Sequence, residues 1–286
     1  MRGHGDVSIG YETSLVNGFL PDVGPTKQIG TVRSRRVDLG FEYYVADRWS
    51  VSAGIPFISN RYNGPNPHCP TTAPPQCAHI PALTQPHPES QFLDDGNFHG
   101  ALQDWSVGVA YHANIDTYYI TPSIGVYLPT HEYTFFSQAA VGQDLQQLDV
   151  SVTLAHQFDF SQLYYSVGYG YVFSEKTLGY SISYNHFDLE LGYFISPQLT
   201  VRASSLGRIG NGLQFTEELA LSGGKTNDLW YHHDQISAHE YISAGGGIDY
   251  HFGNKYTLSA TAQTLVWGST VFNFRYLLDV HVTGYF

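Results

Sequence analysis

The chain has 286 residues, of which 13% are charged and 15% aromatic, with 22 tyrosines, 29 glycines and a formal net charge of −12. The acidic balance excludes a nucleic-acid partner, which selects a basic surface, and no apolar run approaches the ~20 residues of a spanning helix. A chain short of charge, rich in aromatics and free of hydrophobic blocks fits a transmembrane β-barrel, in which apolar and polar residues alternate and average out.

Alternation begins near the start. "MRGHGDVSIGYE" has neither the apolar core nor the cleavage site of a signal peptide, so it reads as the beginning of a mature chain, and export is inferred from the barrel pattern. The first strand, "DVSIGYETSL", sets Val7, Ile9, Tyr11, Thr13 and Leu15 on one face. "RRVDLGFEYYV" sets Val37, Leu39, Phe41, Tyr43 and Val45 against Arg36, Asp38, Gly40 and Glu42, and "WSVSAGIPFIS" follows after a tight turn. Further strands are "WSVGVAYH", "YYITPSIGVYL", "LDVSVTLAHQF", "LYYSVGYGYVF", "FDLELGYFI", "LTVRASSLG", "ISAGGGIDYHF" and "YTLSATAQTLVW". The last, within "FRYLLDVHVTGYF", ends on Phe286.

The reading is therefore an all-β, antiparallel up-and-down barrel of twelve strands, one domain over residues 1–286. Five connections are short. Those on the other side span residues 16–29, 63–100, 130–147, 175–180, 208–236 and 269–272. This asymmetry is that of the outer membrane of a Gram-negative bacterium, with long loops outside and short turns and both termini in the periplasm. Tyr43, Trp49, Tyr111, Tyr118, Phe158, Tyr165, Tyr193, Tyr250, Phe252 and Tyr256 gather near the short turns, where amphipathic rings settle at the membrane–water interface. Trp49, Tyr256 and Phe286 are the expected membrane anchors, and Phe286 also closes the last strand on the first and resembles a signal read by the barrel-assembly machinery.

The opposite face carries the expected pore-lining residues: Glu12, Arg36, Asp38, Glu42, Asp104, Asp188, Glu190, Arg202, Asp249, Asp279 and His281. They either fill the interior as ion pairs or line a channel with rings of charge. His112, His251 and His281 fall on the same phase and are expected to join a lumen hydrogen-bond network. The Pro-rich connection 63–100 reads as a lid or a constriction. Within it Cys69 and Cys77 form one expected loop disulfide in an oxidising compartment, the alternative being two free thiols. "YHHDQISAHE" gathers His232, His233, Asp234, His239 and Glu240, either as a surface metal site or as a solvated polar loop. Lacking a regular ligand spacing, it reads as the latter, and no metal or cofactor is expected. There is no G-x-S-x-G or H-E-x-x-H, and "HEYIS" lacks the second histidine, so no enzyme is expected.

In "ADRWSVSAGIPFIS", "ALQDWSVGVAYH" and "YITPSIGVYLPTHEY" the first half of the chain resembles the outer-membrane family of the meta-pathway of phenol degradation. Gly100, Asp104 and Leu128–Pro129–Thr130 fit its pattern, whereas His131 stands where that pattern has glycine. The resemblance implies a transporter for aromatic or other small hydrophobic compounds and carries over no functional residue. The expected function is thus a passive outer-membrane channel for small molecules, narrowed by the 63–100 loop. Its rivals are a barrel scaffold or sheath holding a protein partner, such as an electron-transfer protein, in its lumen or at its rim, and an outer-membrane hydrolase. Expected partners are outer-membrane lipid, lipopolysaccharide and a small solute.

Overall fold

Strands that alternate apolar and polar residues form a sheet with two unlike faces, and in lipid such a sheet must close, because an open edge leaves backbone groups unsatisfied. The structure, a computed structural model, describes residues 3–69, 90–214 and 228–286. Its strands are β1 (Gly5–Leu20), β2 (Lys27–Ala46), β3 (Trp49–Asn63), β4 (His99–Leu102), β5 (Asp104–Tyr111), β6 (Ala113–Ile115), β7 (Tyr118–Pro129), β8 (Gln147–Gln157), β9 (Leu163–Ser174), β10 (Lys176–Thr177), β11 (Tyr180–Ser181), β12 (Tyr184–Phe194), β13 (Leu199–Gly210), β14 (Glu240–Phe252), β15 (Tyr256–Ser269) and β16 (Val271–Tyr285).

Twelve staves make the wall. β4, β5 and β6 are one stave interrupted at Gln103 and His112, whose backbone N–H groups still donate across to Pro56 O at 3.0 Å and Arg48 O at 2.8 Å. β10 and β11 form a separate small hairpin in the β9–β12 connection. Every pairing in the wall is antiparallel, and β1 lies between β2 and β16, with Ile9 opposite Val282 and Tyr11 opposite Val280. The seam ends in a reciprocal pair: Gly5 N donates to Phe286 O and Phe286 N donates to Gly5 O, each at 3.0 Å. The barrel is closed.

The apolar set faces outward. Leu39 and Leu189 are 51% and 50% exposed, and Val7, Ile9, Val109, Ile124 and Val280 are exposed likewise. An apolar belt of this extent is stable only against hydrocarbon.

The wall is taller than expected at the long-loop end. The connection expected over 16–29 shrinks to residues 21–26: β1 continues to Leu20 and β2 begins at Lys27. A register shift between Asn17 and Phe19, with Gly18 at φ 89°, absorbs the irregularity, and Phe19 meets Phe272 edge-on at 5.8 Å. The connection at 269–272 likewise shrinks to Thr270, at φ 51°. Two short helices, α1 (Asp228–Tyr231) and α2 (His233–Ile236), lie between β13 and β14.

Candidate functional site

The inner wall changes character along its height. On β3 the inward residues run Ser50, Ser52, Gly54 and Pro56, then Ile58, Asn60 and Tyr62 toward the long loops. Small and polar residues thus line the short-turn half, and apolar ones line the mouth. Glycine makes room for large polar side chains across the ladder: a Cβ at Gly168 would strike the Asp188 carboxylate, and one at Gly192 the Tyr164 ring.

A cavity of about 910 Å³ occupies the middle, lined by Glu12, Arg36, Asp38, Asp104, Asp188, Glu190, Arg202, Asp279 and His281 among others. Nine of the eleven residues expected to face inward therefore meet around one space. The remaining two also face inward. Asp249 pairs with Arg202 at 3.1 Å, and Glu42 lies 3.7 Å from His112 Nε2 near the short turns. Arg202 further reaches Glu190 at 3.4 Å and donates to Thr261 Oγ1 at 2.7 Å, while Arg36 holds Asp38 at 2.7 Å. Ion pairs and open volume thus coexist. The three lumen histidines take polar partners: His112 with Ser50 Oγ at 2.9 Å, His251 with Thr257 Oγ1 at 2.9 Å and His281 with Asp279 at 3.0 Å.

Above the cavity the long loops fold inward. The β7–β8 connection, residues 130–146, buries Tyr133, Phe135, Phe136, Ala139, Val141 and Leu145. Ala139 packs on Val32 and Tyr62, and Tyr133 and Val141 pack on Ile58, all inward residues of β2 and β3. Phe135 and Phe136 pack on Tyr231 and Trp230 of α1, and Leu145 on Ile182 and Ile236. Polar contacts fasten the loop: Asn60 Nδ2 donates to Ala140 O at 2.6 Å, Tyr133 Oη to Asp104 at 2.7 Å, and Gln143 and Gln235 exchange side chain-to-backbone bonds at 2.9 Å. Burial, with Asp104 and Glu132 nearby, pushes the Asp144 carboxyl up to about 6.

At the centre of this fold-back is Asp94, which no sequence motif marked. Its carboxylate accepts from His68 N and Ser137 Oγ at 2.7 Å, Ala139 N at 3.0 Å and Gln138 N at 3.1 Å. Of the 63–100 connection expected to form the constriction, residues 70–89 lie outside the described residues. Among the described residues, that connection contributes His68, Leu93 and Asp94 to the fold-back, and 130–146 joins it because its Phe135–Phe136 and Ala139–Val141 stretches must be buried somewhere. Those apolar residues in a polar loop were the available signal. The solvated reading of "YHHDQISAHE" is overturned: His233, Gln235, Ile236, Ser237 and Ala238 are buried. Cys69 is buried, and Cys77 lies outside the described residues, so the expected pairing is not among the contacts described.

At the short-turn end Trp49 packs on Tyr111 at 4.9 Å, Phe286 stacks on Phe41 at 6.4 Å, and Tyr256 is exposed beside the seam.

The fold defined by these elements is that of the outer-membrane barrels. No family model matches the chain, and no curated protein does. Among solved structures, an outer membrane channel from Pseudomonas putida F1 superposes with a TM-score of 0.71 at 11% identity, covering 100% of this chain and 96% of the other. The translocator domain of the autotransporter NalP from Neisseria meningitidis reaches 0.51 at 12% identity, covering 99% and 88%. A NanC porin reaches 0.50 at 12%, covering 98% of both chains.

Proposed function

We propose that this barrel is a passive outer-membrane channel for small molecules, with the inward-folded loops as its constriction. The observation that carries the reading is the charged cavity of about 910 Å³ enclosed by a closed, lipid-facing wall. A scaffold has no need of an interior both open and charged. Two of the fold neighbours are an outer membrane channel and a porin, which supports the same reading.

Glu12, Arg36, Asp38, Glu42, Asp104, Asp188, Glu190, Arg202, Asp249, Asp279 and His281 act as the pore lining. Six carboxylates against two guanidinium groups around the cavity favour small polar or cationic solutes over hydrocarbons. The loops face the cell exterior, and Trp49, Tyr256 and Phe286 anchor the periplasmic rim. Arg33 and Arg61 stand opposite each other on the outward face at the long-loop end, with Arg35 and Arg61 over Phe98 at 4.2 and 4.7 Å. Like charges so placed suit the phosphates of lipopolysaccharide.

Planar-bilayer recording tests the proposal. The purified barrel should conduct and prefer cations, with a preference that high salt screens. A barrel that stays silent, intact and with 131–144 excised alike, would point to the scaffold instead.

A further inference from the structure

Two of the long connections bring three ligand-type side chains together inside the mouth. His68 Nε2 lies 3.3 Å from His233 Nε2 and 3.4 Å from Asp234 Oδ2, and His233 Nε2 lies 3.1 Å from Asp234 Oδ1. The two imidazole side chains are only 7% and 6% exposed. We propose that His68, His233 and Asp234 bind one divalent transition-metal ion of the Zn²⁺ class, which ties the β3–β4 connection to the β13–β14 connection.

The spacing is the first reason. Nitrogen and oxygen ligands about 2.0–2.2 Å from a tetrahedral ion lie about 3.3–3.5 Å from one another, close to the separations seen here. Donor type is the second: imidazole suits Zn²⁺, Ni²⁺ and Cu²⁺, and one carboxylate beside two imidazoles lowers the charge left on the bound ion.

Orientation is the third. His233 Nδ1 lies 2.5 Å from the Trp230 carbonyl, an atom that can only accept, so Nδ1 carries the proton and Nε2 is left with the electron pair a metal needs. The Trp230 ring lies flat on His233, at 4.1 Å and 8°, and holds its plane. On the other side, Asp94 sits 3.6 Å from His68 Nδ1 and grips the His68 backbone N–H at 2.7 Å, placing a carboxylate behind this ligand too. The competing arrangement is a His–Asp–His hydrogen-bonded cluster that takes no ion. The proposal does not depend on the channel reading, because a scaffold barrel could carry the same site.

The test uses the folded, full-length barrel in detergent, stripped with chelator and titrated with Co²⁺ as a spectroscopic stand-in for Zn²⁺. Visible absorption should saturate at one ion per chain and be displaced by Zn²⁺. His233→Ala, His68→Ala and Asp234→Asn should each weaken binding at least about tenfold, while His99→Ala and His131→Ala leave it unchanged. Heat-modifiable gel migration identifies the variants that fold. Should one of the three fail to fold, the wild-type titration still decides. No stoichiometric uptake by the folded wild type, or uptake indifferent to all folded ligand variants, overturns the site and leaves the hydrogen-bonded cluster.

Discussion

Asp94 and Ser137, 43 residues apart in the chain, meet through a 2.7 Å hydrogen bond at a carboxylate whose side chain is wholly shut from solvent. The same carboxylate also receives three backbone N–H groups, from His68, Gln138 and Ala139. Two connections of the mouth are thereby tied to one side chain.

Asp94→Ala strands those donors, and each buried donor left without an acceptor costs about 1–3 kcal/mol. The loops should release while the wall, which shares none of these bonds, stays closed. We expect new protease cleavage within 131–146, higher bilayer conductance and unchanged heat-modifiable migration. Resistance to protease equal to that of the wild type would show that apolar packing alone holds the loop.

Deleting Phe286 removes both backbone bonds to Gly5 and the stack on Phe41. The β1–β16 seam then frays from its periplasmic end, and unpaired backbone groups in the interface raise the cost of closure. The yield of heat-modifiable barrel should drop well below that of the full chain in a refolding assay.

Substituting Arg at Leu39, Leu189 or Val280 places a charge in hydrocarbon and should cost about 2–4 kcal/mol near the midplane. Asp38→Asn and Asp279→Asn face the cavity and should be tolerated far better. Urea unfolding in lipid vesicles measures both sets, and equal losses would contradict the assignment of the two faces.

Asp144 gives the mouth a pH dependence. Its carboxyl, raised to about 6 mainly by burial, holds its proton more tightly in the folded-in loop than in the released one. Docking of 130–146 is therefore strongest below the ordinary carboxylate range near pH 4 and weakens as pH rises through about 6. Amide exchange across 131–146, corrected for intrinsic rates, should be slower at pH 5 than at pH 7. Asp144→Asn should flatten that difference.

The wall was legible in the sequence because a strand's side-chain period of two is a property of the backbone itself. Val7, Leu39 and Val280 declare one face, Glu12, Asp38 and Asp279 the other, and a terminal Phe286 on an alternating strand implies its partner at the opposite end of the chain. Strand continuation beyond the membrane was not legible, because Asn17, Gly18 and Lys27 look like loop residues and pair only once the neighbouring staves are in place. The mouth was decided by tertiary structure alone. Val32, Ile58 and Tyr62 are apolar on the inward phase, an exception to the pattern that has a meaning only when Tyr133, Ala139 and Val141 are brought over them. His68 and His233, 165 residues apart, belong to the β3–β4 and β13–β14 connections on opposite sides of the ring, and become neighbours because both connections fold inward over the lumen. Alternation fixes which way a side chain points, but which side chains meet across the ring depends on the closed geometry, to which no local pattern refers.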